Sequence, residues 1–282
     1  ATTEIYTLSL HDALPICTGT INTSSTSGII EAGVHEYQAS MEETSIGGFI
    51  GYAGLPTNRT SSLTISNSTN FTDILGMGFS TTPSGYINLG GFIGSGVLNR
   101  FTTTINEGNI QSHPEGSMVD GVSMGGFAGY LRTVTSNSST TMTNYGTMTL
   151  IVSRAQKARV GLGIGVGGGF TAPFGGSTSN SSFNRPFVNI YNYGQFEMVK
   201  LNQESLTEAD YQNMDIMVAG IAVSHLSQMG LNNANNYSNF DIDLSYIQNV
   251  AGIYISNQNF TSATWSDHRD YYNNFGDRKS VV

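Results

Sequence analysis

The stretch SMGGFAGY (123–130), followed by TNYGTMTLIV (143–152), carries two motifs that recur along the chain. The first is an apolar residue, a glycine pair, an apolar residue, an apolar or small residue and a further glycine. It appears as IGGFIG (46–51), LGGFIG (89–94) and MGGFAG (124–129), with VGGGF (166–170) as a relaxed copy and VAGIAV (218–223) and VAGIYI (250–255) as weaker echoes. The second is Asn-x-(Gly/Ser/Thr)-x-apolar, in NSTNF (67–71), NEGNI (106–110), NYGTM (144–148), NYGQF (192–196) and NYSNF (236–240). The two alternate from residue 46 to residue 255, and successive Asn copies lie 39, 38, 48 and 44 residues apart.

A fixed alternation of this kind is the signature of a stacked repeat, because an apolar strand that cannot bury its face alone does so against the next copy. The glycine pairs Gly47–Gly48, Gly90–Gly91 and Gly125–Gly126 are expected at bends or close approaches that a Cβ would block. Gly126→Val is accordingly expected to harm folding. Asn followed by Gly tolerates positive φ, so the Asn motifs are expected at corners. Equivalent asparagines, Asn67, Asn106, Asn144, Asn192 and Asn236, could hydrogen-bond as a ladder from copy to copy. Alternating stretches such as SLTIS (62–66) and FDIDL (240–244) have the period of half-buried strands. A spacing near 40 suits either two short coils per repeat or one coil with loops. Variable spacing places protruding loops at QSHPEGSMVDG (111–121) and NQESLTEADYQNM (202–214). In the latter, Ser205 and Glu208 form a capping-box pattern that predicts one short helix.

The GGFIG and GGFAG blocks resemble GLUG-type repeats of bacterial surface and secreted proteins. NYGTM and NEGNI are similar to the turns of β-helical autotransporter passengers and related adhesins. The resemblance spans most of 46–255 and implies an all-β fold, a right-handed parallel β-helix (β-solenoid) with loop insertions, displayed outside the cell as an adhesin stalk or ligand-binding surface.

Composition restricts the chemistry. The chain has 20 acidic and 11 basic residues among 282, a net charge of −9, and only 11% charged residues. Nucleic acid or anionic lipid calls for clustered Lys and Arg, so neither is an expected partner. Recurrent Ile, Val, Phe and Tyr argue against disorder, and no apolar run is long enough to span a bilayer. Both ends read as foreign. ATTEIYTLSLHDALPI (1–16) and DRKSVV (277–282) resemble a translated sequencing-library adapter and its reverse complement, in the orientation that a ligated fragment requires. Such scars are set apart from fold reasoning. The native stretch is then 17–276, with a weak repeat at 17–45, clear repeats at 46–255 and a degenerate one at 256–276. The single cysteine, Cys17, sits on the junction, so neither a disulfide framework nor a thiolate metal site is expected.

Candidate sites are few. GIGVGG (163–168) matches a dinucleotide-binding glycine pattern, but GFTAPFGGSTS after it cannot form the required helix, so it reads as a degenerate repeat and no cofactor is expected. Asp241 and Asp243 alternate with Phe240, Ile242 and Leu244 and would face one side of a strand; paired carboxylates could serve glycoside hydrolysis or bind Ca²⁺, but the favoured reading is a solvated outer face. The histidines have no zinc-site spacing, and no metal is expected. WSDHRDYY (265–272) offers Trp265, Tyr271 and Tyr272 to stack on sugar rings, with Asp267, His268 and Asp270 to hydrogen-bond them. The reading favoured here is a non-catalytic segment of a secreted or cell-surface protein in adhesion or scaffolding, with a glycan or a cell-surface protein as partner. A β-helical carbohydrate-active enzyme (neutral-glycan hydrolase or lyase) and a phage tail-spike-like fibre module are the alternatives. Oligomeric state is left open.

Overall fold

Each repeat contributes short strands in a fixed order, and the same strands of successive repeats pair with one another. The computed structural model describes residues 18–32, 43–53, 62–76, 86–98, 100–112, 121–134, 141–152, 157–161, 164–167, 187–200, 215–219, 222–224, 231–237, 240–242 and 252–256. Among these, ordered elements are strands, with no helix. Two strands, β1 (Thr18–Asn22) and β2 (Ser25–Ala32), come first. The next repeat gives β3 (Glu43–Gly47), β4 (Ile50–Ala53) and the long β5 (Ser62–Gly76). Then come β6 (Tyr86–Gly90), β7 (Ile93–Leu98), β8 (Arg100–Asn106) and β9 (Ile110–Gln111), followed by β10 (Gly121–Gly125), β11 (Ala128–Val134), β12 (Met142–Asn144) and β13 (Met148–Val152). The pattern continues with β14 (Lys157–Gly161), β15 (Ile164–Gly167), β16 (Phe187–Asn192) and β17 (Phe196–Lys200), then β18 (Asp215–Ala219), β19 (Ala222–Ser224), β20 (Leu231–Asn236), β21 (Phe240–Ile242) and β22 (Gly252–Ser256).

Three parallel sheets result. The first runs β3-β6-β10-β14-β18-β22 and the second β4-β7-β11-β15-β19. The third has two arms that join at β5: β8-β12-β16-β20 continues its first half and β9-β13-β17-β21 its second. Among the described residues, each repeat near 40 residues long supplies one strand to each sheet or arm.

The glycine motif is the bend between the first two sheets. At that bend Gly48 N–H donates to Gly91 O and Gly91 N–H to Gly125 O, both at 3.1 Å. The sheets then lie so close that a Cβ on Gly90 would meet Gly129 N at 2.7 Å, and one on Gly47 would meet Gly94 N at 2.6 Å. Small polar residues line the same contact, and the Ser45 and Ser95 hydroxyls sit 2.7 Å apart. Sheet one is therefore covered on both sides, which is why β10 is buried from end to end and its sequence does not alternate. The phenylalanines of the bend stack from repeat to repeat. Phe49 and Phe92 lie 4.8 Å apart at 6°, and Phe92 and Phe127 5.8 Å apart at 18°. Phe101 of β8 meets Phe92 edge-on at 5.9 Å and ties the bend to the third sheet. Leu63, Ile65, Ile74, Ile110, Met142 and Met148 complete that wall of the core.

Pairing shifts two of the weaker motif copies. Val160 pairs with Met124, Gly161 with Gly125 and Ile164 with Ala128, so the register of MGGFA falls on 160–164 and not on VGGGF (166–170). The matching glycine pattern at 163–168 thus runs into strand β15, the wrong element for a phosphate loop. Ile255 pairs with Val218, which puts VAGIYI (250–255) five residues ahead of the bend that it was expected to form. The predicted helix at 202–214, most of the loop at 111–121, and both terminal stretches, 1–16 and 277–282, lie outside the described residues.

A second regular feature is a kink in the third sheet. Thr23, Asn67 and Thr103 have φ of 50°, 48° and 51°, and the flanking registers, Asn22↔Ser66, Ser66↔Thr102 and Ser68↔Thr104, place them in one column. A left-handed β-branched residue is strained, whereas Asn adopts that region at lower cost. Thr103→Asn, at an exposed site, is therefore expected to stabilise the fold by about 1 kcal/mol. Thermal unfolding would show a higher Tm. An unchanged or lower Tm would mean that the threonine is not strained.

Candidate functional site

The Asn motif builds a corner with an inside and an outside. Inside, Asn70, Asn106, Asn144 and Asn192 are fully buried and joined in one column. Asn70 Nδ2 donates to Asn106 Oδ1 at 2.7 Å, Asn106 Nδ2 to Asn144 Oδ1 at 2.8 Å and Asn144 Nδ2 to Asn192 Oδ1 at 2.8 Å. The Thr26 hydroxyl closes the column by donating to Asn70 Oδ1 at 2.7 Å. Each amide also holds its own corner: Asn106 Nδ2 donates to Gly108 O at 3.0 Å, and Gly194 N–H donates to Asn192 Oδ1 at 3.2 Å. A buried amide offers two donors and an oxygen with two lone pairs, and this arrangement uses both halves.

The first rung is Asn70, not Asn67. Asn67 belongs to the kinked column, is exposed, and donates to Asn22 Oδ1 at 3.0 Å. Asn236 pairs with Asn192 in the backbone register. The glycine after each corner also has a different reason from the expected one. Among the described glycines only Gly28 and Gly96 have positive φ. A Cβ on Gly108 would strike Thr72 O and approach Asn70 Nδ2 at 2.7 Å, and one on Gly146 would strike Gly108 O and approach Asn106 Nδ2 at 2.7 Å. The preceding rung occupies the space, so close approach and not backbone handedness excludes a side chain. The two motifs also meet inside the core, where a Cβ on Gly48 would strike Asn70 Oδ1 and one on Gly91 would strike Asn106 Oδ1.

Outside, the residue after each ladder asparagine projects into solvent, Phe71, Glu107, Tyr145 and Tyr193 in order, and Tyr237, which follows the register partner Asn236, continues the line. The three tyrosines are 52%, 43% and 40% exposed and stacked. Ring centroids lie 5.3 Å apart between Tyr145 and Tyr193 and 4.9 Å between Tyr193 and Tyr237, at 12° and 7°. Strand spacing of about 4.8 Å sets that distance. Beside this column, residues two and four places further on line an open groove of about 360 Å³: Asp73, Leu75, Asn109, Gln111, Thr147 and Thr149, over a floor that includes Ile74 and Ile110. Two groove residues are held by their neighbours: Asn109 N–H donates to Asp73 Oδ1 at 2.8 Å and Thr147 N–H to Asn109 Oδ1 at 2.9 Å.

Packing raises the Tyr193 phenol above the ordinary tyrosine range, first through partial removal from water and then through repulsion from the phenolates of Tyr237, Tyr145 and Tyr191. An acid whose pKa is higher in the folded state stabilises that state at neutral pH. The contribution is lost as pH climbs from the ordinary tyrosine value through the raised one. A near-ultraviolet absorbance titration should show a late-ionising tyrosine that Tyr193→Phe removes. Ionisation of Tyr193 together with free tyrosine would contradict the stack.

Of the candidate residues expected from sequence, Asp241 lies on β21 opposite Glu197, while Asp243 and the whole set Trp265, Asp267, His268, Asp270, Tyr271 and Tyr272 lie outside the described residues. The tyrosine column was missed. Its signal was the tyrosine at the variable position of NYGTM, NYGQF and NYSNF. No family model, curated protein or solved structure matches this chain.

Proposed function

We propose that the repeats close into a right-handed parallel β-helix, and that the chain is a length of extracellular or cell-surface scaffold working in adhesion, without a catalytic centre. The observation that carries this reading is the ladder Asn70–Asn106–Asn144–Asn192. A stack tied together rung by rung grows along one axis while the same outer columns recur at every step, which suits a spacer that presents a repeated surface. The resemblance of IGGFIG and MGGFAG to GLUG-type repeats, and the low charge of the chain, point the same way. A surface exposed to partners outside the cell would then engage a glycan or a cell-surface protein.

Two measurements test it. Electron microscopy of the chain and of a tandem duplication should show rods of equal width, the longer one extended by about 4.8 Å for each added repeat. Antibody labelling of intact source cells, with and without protease shaving, should find the protein outside. Compact particles of growing width would overturn the solenoid, and protection from protease on intact cells would overturn the location.

A further inference from the structure

We infer that the corner face formed by Tyr145, Asn109, Gln111, Thr147 and Thr149 is a binding site for a neutral glycan chain lying along the stacking direction. The inference rests on the extracellular adhesion reading for its setting, and on the groove itself for its chemistry.

Three observations support it. The groove spans three successive repeats, from Asp73 through Asn109 to Thr147, about 10 Å at the ordinary strand spacing. That is a length for a chain and not for a small ion. Its outward groups are an amide at Asn109, an amide at Gln111, and hydroxyls at Thr147 and Thr149. Because the Oδ1 of Asn109 already accepts from Thr147 N–H, its Nδ2 is fixed in direction. Such preset, uncharged donors and acceptors match a polyhydroxylated ligand, for which orientation matters more than net charge. Finally, the aromatic column changes character beside this groove. In the preceding repeat the Tyr145 position is taken by Glu107, so the tyrosine stack begins at Tyr145. A ring at the start of a stack has a face that no tyrosine covers, next to a carboxylate that can accept from sugar hydroxyls. Tyr193, between two rings, offers only its edge and hydroxyl.

Charge selects among glycans. None of the groove-lining residues is basic, and Asp73 lies among them with Glu107 adjacent. A polyuronate or sulfated chain would meet like charge there, whereas a neutral glucan, mannan, xylan or chito-oligosaccharide would not.

The experiment is binding of the full chain to immobilised neutral oligosaccharides and to polyuronates, alongside attachment to intact cells. Gln111→Ala combined with Thr149→Ala removes groove contacts without touching the core, and Tyr145→Ser removes the open ring. Retention of the circular dichroism spectrum and Tm checks folding of both variants. The expected result is selective binding of a neutral oligosaccharide, weakened about tenfold or more by each variant. Preference for the polyuronates, binding of no neutral oligosaccharide, or equal binding by wild type and variants would overturn the site. Cell attachment that survives both variants overturns the groove and leaves adhesion standing. Neutral-glycan binding at the groove with no attachment to any cell overturns adhesion and leaves the site standing.

Discussion

Gly91→Ala should lower the stability of the chain by about 3 kcal/mol, read as a reduced urea midpoint with the slope unchanged. Two effects oppose one another at this position. Alanine restricts the unfolded chain more than glycine does, which favours the folded state by about 0.4–1 kcal/mol. Against it, the new Cβ would strike Gly126 O and Asn106 Oδ1. Neither is the free end of a flexible side chain: one is backbone at the next bend, and the other is an amide held by Asn70 at 2.7 Å. Relief would require the bend to separate from the ladder, so the clash wins. Gln195→Ala, at an exposed corner position, is the matched control and should leave the midpoint in place. A stable Gly91→Ala protein would show that the two motifs do not touch.

The second large effect is expected at Asn144. Its Oδ1 accepts from Asn106, while its Nδ2 donates to Asn192 at 2.8 Å and to Gly146 O at 3.3 Å. Asn144→Leu keeps the branching and the number of side-chain heavy atoms but strands three partners in a buried setting. At about 1 kcal/mol for each net hydrogen bond, the loss is about 3 kcal/mol. Asn144→Asp separates polarity from volume. The carboxylate still accepts from Asn106, but it presents an oxygen to Asn192 Oδ1 and carries a buried charge. Burial without a counter-ion raises the carboxyl pKa in the folded state. The folded protein then holds a proton that the unfolded chain releases, so the variant should be least stable at neutral pH and recover as pH falls. A protonated carboxyl can donate to Asn192, as the amide did. Chemical denaturation across acid to neutral pH checks both variants. A pH-independent Asn144→Asp protein, or an undisturbed Asn144→Leu protein, would contradict the ladder.

Much of this arrangement is legible in the residues. The alternation of glycine and asparagine motifs implies strands stacked copy on copy, and the parallel pairing of β6, β10 and β14 has that form. What stays hidden is register. NSTNF contains two asparagines, and pattern matching selects Asn67 because it opens the motif. Asn67 stands in the exposed kink column with Thr103, and it is Asn70, three residues on, that turns inward and meets Asn106. Likewise VGGGF looks like a fourth bend, because glycine count is conspicuous while partner identity is invisible in a single strand. The glycine of NYG was read as a conformational requirement. It is a steric one, imposed by the previous rung and therefore by residues about 40 positions away. The surface was least readable. Three tyrosines at one motif position are visible, but their stacking depends on a pairing that sequence does not display, and the aromatic cluster at 265–272 drew attention instead.

The ladder also bears on how such a chain changes over generations. A newly duplicated stretch of gene finds its place if it supplies one asparagine for the column and glycines where the neighbouring rung would collide. The intervals between rungs, 36, 38 and 48 residues, already vary without interrupting the column. Copying or deleting a whole unit therefore lengthens or shortens the stack at nearly constant internal chemistry, while the exposed position after each rung is free to change. A lineage could in this way exchange phenylalanine, glutamate and tyrosine along a single exposed line and explore new partners, with inheritance of the architecture left intact.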